Sequence, residues 1–356
     1  MRFNLCYHVT MKYSFYDDYT EGVHPEILKY ISEHNLDPQL TYGRDEYSKL
    51  AAERVKKAFG IADADVHFLP TGTVCNVIGL KSMLRAIEGV IAPASGHINT
   101  HETGALEAHG HKIIWVDTSD GKLTPDLIDQ ALALYEDEHT VIPKVVYLTQ
   151  VTELGTVYTK EELKTVIDYA KSKGLYTFLD GARLAMAVAS KTANMTMEDV
   201  GNLGLDMFYI GGTKNGGMYG EALVIQNDIF KKDFRHFIKQ RGGMMAKGRF
   251  IGLQFARFFD DDNLWLNLAS HANEMAELLY NGLQEIDIEF DLTADANQVF
   301  PILDNKVYEQ LSQEYGFYPW NKVGNDKTKV RFVCSWATPK EQVEALIADA
   351  RKIIQQ

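Results

Sequence analysis

Over roughly two hundred residues the chain alternates short apolar runs with segments whose apolar residues recur at helical spacing. Val66-His-Phe-Leu, Gly89-Val-Ile-Ala-Pro, Lys112-Ile-Ile-Trp-Val, Val145-Val-Tyr-Leu, Leu175 to Leu179 and Met207 to Ile210 read as strands. Pro25-Glu-Ile-Leu-Lys-Tyr-Ile, Glu46 to Val55, Thr73 to Ile87, a segment opening at the cap Thr124-Pro-Asp, and Glu161 to Ser172 read as helices. Strands joined through helices run parallel, and the helices cover both sheet faces. The expectation is an α/β layer with a mostly parallel, doubly covered sheet, to which Leu223-Val-Ile could add antiparallel at the far side. From Leu264 the pattern changes to a long helix, Ile288-Glu-Phe, Val299-Phe-Pro-Ile-Leu, a helix, Val330 to Ser335 and a last helix, Pro339 to Ile354. That reads as a smaller α+β domain. The division expected is an arm (1–24), a large α/β domain (25–262) and a small domain (263–356).

Composition bounds the partners. With 49 acidic against 36 basic residues the net charge is -13, which argues against nucleic acid or an anionic membrane surface. No apolar run reaches the length of a membrane span. Cys6, Cys75 and Cys334 are too far apart to suggest a disulfide framework or a zinc knuckle, so a reducing cytoplasm is expected. The segment before Met11 reads unlike the rest and is expected to carry no chemistry.

Two strand ends carry the chemistry. Phe208-Tyr-Ile-Gly-Gly-Thr-Lys-Asn-Gly-Gly217 sets Lys214 in a glycine-bracketed turn after a strand, with room for a flat ligand beside it. Such a lysine can form a Schiff base with an aldehyde cofactor. Tyr176-Thr-Phe-Leu-Asp-Gly-Ala-Arg183 ends another strand in Asp180. A buried carboxylate beside the lysine is what pyridoxal 5'-phosphate needs, because it keeps the pyridine nitrogen protonated and the ring able to take electrons. Each residue alone has an ordinary reading, a surface lysine and a helix cap; the pairing favours the cofactor.

The remaining motifs fall at the same strand ends, where ligands of open parallel sheets bind. In Val66-His-Phe-Leu-Pro-Thr-Gly-Thr, Gly72 lets a ligand approach the backbone, and the helix start offers free N–H groups and the Thr73 hydroxyl to a phosphate. The same turn would serve as an ordinary helix cap. His97-Ile-Asn-Thr-His-Glu102 supplies a histidine that could stack on the ring or serve structurally, with His101 a second candidate for proton transfer. A zinc site there lacks a third ligand fixed by the sequence. Arg183 returns toward the tip that carries Asp180, and Arg331 interrupts an apolar strand. A guanidinium so placed needs an anion, either a substrate carboxylate or a salt bridge within the small domain.

Together, Asp17-Asp18-Tyr-Thr-Glu-Gly-Val-His-Pro, Tyr42-Gly-Arg-Asp45, Thr71-Gly-Thr, His97 to Glu102, Leu179-Asp-Gly-Ala-Arg-Leu and Lys214 resemble the threonine aldolase / β-eliminating lyase family from about Tyr13 to near the C-terminus. The resemblance implies a fold type I pyridoxal phosphate enzyme, with a mostly parallel sheet in the large domain and a smaller α+β domain. It implies a homodimer or homotetramer with active sites at subunit interfaces, acting on a small amino-acid substrate. By matching motifs, Lys214 would carry the cofactor, Asp180 its ring nitrogen, His97 its face, and Gly72 and Thr73 its phosphate. Arg183 and Arg331 would hold the substrate carboxylate. Where many threonine aldolases have a Gly-rich segment and Met-Arg, this chain reads Gly242-Gly-Met-Met-Ala-Lys-Gly-Arg249. The basic group reaching a neighbour's phosphate would then be Lys247 or Arg249.

The activity expected is cleavage of L-threonine or a related β-hydroxy-α-amino acid to glycine and an aldehyde. A β-eliminating lyase, racemase or aminotransferase would use the same scaffold and break another bond. A cofactor-free or metal-binding α/β protein is the reading from a different class.

Overall fold

A computed structural model describes residues 11–356; the expectation for the segment before Met11, and Cys6 with it, lie outside the described residues. β1 (Tyr13–Ser14) belongs to the arm. The central sheet is built from β2 (Asp65–Leu69), β3 (Glu88–Pro93), β4 (Ile113–Val116), β5 (Ile142–Thr149), β6 (Tyr176–Asp180), β7 (Met207–Gly211) and β8 (Glu221–Ile225), in the order β2-β8-β7-β6-β5-β3-β4. From β7 to β4 all neighbours are parallel, and β8 runs antiparallel between β7 and β2. The run Leu223-Val-Ile is thus antiparallel as expected, with β2 outside it as the edge strand.

Alternation along the strands divides the interior in two. Tyr147, Phe178, Met207, Tyr209 and Leu223 enter one core, under the helices Gly72–Met83 and Phe234–Gln240. Val146, Leu148, Leu179, Phe208 and Val224 enter the other, shared with the helices Glu46–Phe59, Lys160–Ser172 and Arg249–Phe258. Both faces are covered, which explains why the central strands β5, β6 and β7 are apolar at nearly every position. Local signals fix the helix starts. Thr124 caps a helix with Pro125 in its first turn, and Thr159 and Glu162 exchange side-chain bonds as a capping box. One helix is shorter than its pattern: Gly72–Met83 ends before Ile87, because Leu84 turns extended and the Glu88 carboxylate takes the Arg85 N–H (2.7 Å) and Nε (2.7 Å).

The C-terminal sheet is antiparallel and comprises β9 (Glu289–Phe290), β10 (Gln298–Val299), β11 (Pro301–Asp304), β13 (Tyr318–Val323) and β14 (Lys327–Val333), while β12 (Tyr315–Gly316) pairs with β1. It packs on the helices Leu264–Gln284 and Lys340–Ile354. β13 has no counterpart in the sequence reading; Pro319 interrupts its pattern, and the structure accommodates it with a register shift between Pro319 and Asn321. No helix among the described residues is long and apolar enough to cross a membrane.

Candidate active site

Asp180 ends β6, Lys214 lies in the short helical turn Thr213–Asn215 after β7, His97 opens the turn after β3, and Gly72 and Thr73 open the helix after β2. All are carboxyl ends of strands, so the topology gathers one rim. Backbone closeness at the rim explains the glycines. A Cβ on Gly181 would stand 1.9 Å from the Tyr209 carbonyl oxygen, and one on Gly211 2.2 Å from the Ala182 carbonyl oxygen. The Asp-Gly-Ala and Gly-Gly-Thr-Lys segments are therefore one tight junction between β6 and β7.

Asp180 is buried and fully engaged. Its carboxylate accepts from Tyr147 Oη (2.5 Å), Tyr209 Oη (2.5 Å), Asn76 Nδ2 (3.1 Å) and the Ala182 N–H (3.1 Å). Burial alone would raise its pKa; the positive charge of His97 and these donors outweigh it and hold Asp180 below the usual carboxylate range. The site thus keeps a fixed negative charge in a dry wall.

His97 Nδ1 lies 3.0 Å from Glu102 Oε1, which also accepts from Asn76 Nδ2 at 2.8 Å. Burial opposes protonation of His97, but the Glu102 bond and the Asp180 charge prevail and raise its pKa. His101 stacks on it, with ring centroids 5.6 Å apart. Burial, joined by the His97 charge, pushes His101 below its ordinary value. The two stacked histidines are therefore shifted in opposite directions, His97 up and His101 down. Among the described residues no group of three His, Cys, Asp or Glu side chains could hold a metal ion.

Lys214 Nζ makes no hydrogen bond among the described residues; burial, then the Arg183 charge, lower its pKa. Its turn is braced from β8, where Glu221 accepts the Gly212 N–H (2.6 Å) and Thr213 Oγ1 (2.8 Å). Burial raises Glu221 to about 7. Trp265 Nε1 donates to the Gly211 carbonyl (2.9 Å), and Asn215 Nδ2 donates to the Trp265 carbonyl (2.6 Å).

The arginines separate. Arg183 donates from Nε to Asp18 Oδ2 (2.7 Å) and from Nη2 to Asp18 Oδ1 (3.1 Å), both side chains buried. Two of its five donors are thus spent on the arm, and the other three remain for a ligand at the rim. Arg331 forms no ion pair among the described residues, its Nε is buried without a partner, and it lies over the rings of Tyr318 (4.8 Å) and Trp320 (5.4 Å). The salt bridge within the small domain is not formed. Of the two basic candidates for a neighbour's phosphate, Arg249 donates from Nη1 to the Asp37 carbonyl (2.7 Å) and from Nη2 to the Asn35 carbonyl (3.0 Å), with Nε buried and unpartnered, while Lys247 is exposed.

Several residues escaped the sequence reading. Asn76 bridges Asp180 and Glu102; its place four residues after Gly72, on the same helix face, was a usable signal. Tyr147 and Tyr209 were legible as buried hydroxyls that need partners. Glu153 was not. It is buried in the turn after β5, accepts no hydrogen bond among the described residues, and its charge acts on His97, His101, Lys214, Arg183 and Arg331.

The donor set fits pyridoxal phosphate. The N–H groups of Gly72 and Thr73 have no acceptor among the described residues, suiting a phosphate at the helix start. A partnerless amine, a dry carboxylate and a histidine stand at the adjoining strand ends.

A family model described as β-eliminating lyase matches residues 17–306. Low specificity L-threonine aldolase of a Pseudomonas species is 33% identical over 347 residues, 96% of this chain and 97% of that protein. The solved structure of Leishmania major threonine aldolase superposes with a TM-score of 0.94 at 43% identity, covering 96% of this chain and 99% of that one. The aromatic aminotransferase of Pyrococcus horikoshii, at 17% identity and a TM-score of 0.71 over 96% of this chain and 95% of that one, shares the fold.

Proposed function

The chain belongs to the β-eliminating lyase family, and we propose that it acts there as a pyridoxal-phosphate-dependent threonine aldolase, cleaving L-threonine or a related β-hydroxy-α-amino acid to glycine and an aldehyde. The observation that carries the reading is the junction of β6 and β7, which sets a dry, ionised Asp180 and a partnerless Lys214 at neighbouring strand ends.

Lys214 would hold the cofactor by a Schiff base, Asp180 its ring nitrogen, His97 its face, and Gly72 and Thr73 its phosphate. Bound there, pyridoxal phosphate supplies an electron sink that lets a bond at the substrate's Cα break. The chain's own groups choose the bond and move the protons. Arg331 takes the substrate carboxylate, because it is the guanidinium with an unmet charge in a largely dry setting. Tyr318 and Trp320 hold that guanidinium in place. Arg183 acts through Asp18, tying the arm across the rim, and keeps its remaining Nη1 donors for the site. Loss of the β-hydroxyl proton needs an unprotonated base. His101, held neutral by burial and the His97 charge, accepts it at Nε2 while Nδ1 stays with Thr100 Oγ1 (2.6 Å). His97 is tied through Nδ1 to Glu102 and shifted toward the protonated form, which suits that task less.

We further propose a homo-oligomer in the cytoplasm. Tyr42, whose N–H donates to the Ala246 carbonyl (3.0 Å), and exposed Lys247 present one edge from which the lysine would reach a neighbour's cofactor phosphate. Cys75 and Cys334, both free and buried, suit a reducing compartment.

The test is a product assay with purified enzyme and a panel of β-hydroxy amino acids, coupled to borohydride trapping. Equimolar glycine and aldehyde, with the cofactor trapped on Lys214, are expected. Pyruvate-type or racemised products would favour another member activity, and trapping on a different lysine would overturn the Lys214 assignment.

A further inference from the structure

A separate cavity of about 180 Å³ shares no residue with the rim that holds Asp180 and Lys214. It lies between the start of the helix Glu46–Phe59, the helix Phe234–Gln240, the turn around Gly243 and β2. This is far more than the ~10–15 Å³ a single water needs. β2 is the edge strand of the central sheet, so alternate N–H groups along it lack a ladder partner.

Its charge is anomalous for a chain with a net charge of -13. Arg44, Lys49 and Arg235 all line it, and none of the three forms an ion pair among the described residues. Asp45 is the one carboxylate in the wall, and it is turned to its own helix, accepting the Ser48 N–H (2.7 Å) and Oγ (2.9 Å). Arg235 is held in place by donating from Nη2 to the Tyr42 carbonyl (2.8 Å). Burial and the neighbouring Arg44 charge both press on it, lowering its pKa. Arg44 and Lys49 are exposed and their charges are screened by water, while Arg235 is half-buried beside them.

The backbone of the wall adds a donor. Tyr42 and Gly43 are both left-handed, with φ of 60° and 69°. For an aromatic residue that conformation costs about 1–3 kcal/mol, and such strain collects where a function holds it. The turn leaves the Gly43 N–H without an acceptor among the described residues, on the cavity wall beside Arg44. The flanking amides are taken, Tyr42 N–H by the Ala246 carbonyl (3.0 Å) and Arg44 N–H by the Thr41 carbonyl (3.3 Å), so the turn offers this one backbone donor.

We propose that this cavity binds a small free oxyanion, a phosphate or the carboxylate end of an organic acid, through Arg44, Lys49, Arg235 and the Gly43 N–H. No residue of the rim contributes to the site, though its wall includes Tyr42, which the oligomer reading places at a subunit edge. A small phosphorylated or carboxylated metabolite bound there would stabilise the join between the arm-side helix and the helix Phe234–Gln240.

The test uses the holoenzyme, in which the cofactor already fills the phosphate position at Gly72 and Thr73. Inorganic phosphate is titrated calorimetrically at constant ionic strength, balanced with chloride. Wild type is expected to bind one phosphate per chain with a Kd on the order of millimolar. Arg44→Gln should weaken it roughly tenfold, the effect of one charge-assisted hydrogen bond, and Arg44→Gln/Arg235→Gln should abolish it. Phosphate should raise the melting temperature of wild type and leave that of the double variant unmoved. Unchanged cofactor absorbance and circular dichroism show that the variants are folded. Absence of saturable binding to wild type, or equal binding by the double variant, overturns the proposal. So does a wild type that ignores phosphate while the double variant falls apart in sedimentation, because the cations would then serve a second copy of the chain.

Discussion

Asp18 and Arg183 meet in a buried two-point ion pair, 2.7 and 3.1 Å, that joins the arm to the tip of β6. Asn297 Nδ2 also donates to Asp18 (2.9 Å), so one carboxylate links the arm, the large sheet and the strand region before β10. The Arg183 and Lys214 charges outweigh burial and hold Asp18 below the carboxylate range.

Asp18→Asn should therefore destabilise the enzyme by about 3–5 kcal/mol, since it leaves a buried guanidinium without its counter-charge. Denaturant unfolding measures that. The same change removes a charge that supports protonation of Lys214, so the pH at which the lysine-linked chromophore titrates should move down. An unmoved titration would show that Asp18 does not act on the lysine.

Arg331→Leu is expected to separate binding from folding. The free enzyme should be as stable as wild type or more so, because a partly desolvated guanidinium without an acid is removed. For β-hydroxy amino acids kcat/KM should fall by roughly 30- to 1000-fold, or about 2–4 kcal/mol of carboxylate binding. Loss of stability with unchanged KM would make Arg331 a structural residue.

The two histidines should part company in a pH profile. A base whose pKa is lowered is available above that lowered value, so the acid limb of kcat should lie below the ordinary histidine value of 6.5. His101→Asn should cut kcat by about 10²–10⁴-fold and abolish that limb. His97 has the opposite sign. Its raised pKa means that its contribution to stability is full below 6.5 and is lost as pH rises through the folded value. His97→Asn should flatten the stability profile there and, by removing a charge that helps lower His101, move the acid limb of kcat up toward 6.5.

Glu221 supplies a second signed test. Its folded pKa is raised from 4.5 to about 7, so it takes up a proton on folding between those values. Stability from this group is full below 4.5 and lost as pH rises through 7, on the order of 3 kcal/mol in all. Glu221→Gln should remove that slope. An unchanged dependence of unfolding free energy between pH 5 and 8, where the wild-type loss falls, would place the titration elsewhere.

Much of the architecture was legible because it is written in periodicities. β5, β6 and β7 are apolar at nearly every position, and only a doubly covered strand reads that way. Lys214 was legible because glycines bracket its turn, and Asp180 because it ends an apolar strand, where β6 and β7 nearly touch. What escaped is what depends on partners distant in sequence. Arg183 and Asp18 are 165 residues apart, and nothing local to Arg183 says that two of its donors are taken. Arg249 reads as an exposed cation, yet it is spent on carbonyls of the loop after the helix Pro25–Glu33. β13 was hidden by Pro319, and Glu153 by a turn whose sequence carries no marker.

Trp265 sits at the head of the helix Leu264–Gln284, bonded to the carbonyl of Gly211, while Asn215 reaches back to the Trp265 carbonyl. These two clamps bracket Lys214 from either side. Mechanically, the head of that helix and the lysine turn form one rigid strut. Any swing of the C-terminal sheet about its substrate must then flex farther along the helix or in the arm, where Tyr13 and Ser335 share the carboxylate of Glu21. Thermal motion of the small sheet is thereby kept from displacing the amine, which the Schiff-base role proposed for Lys214 would require.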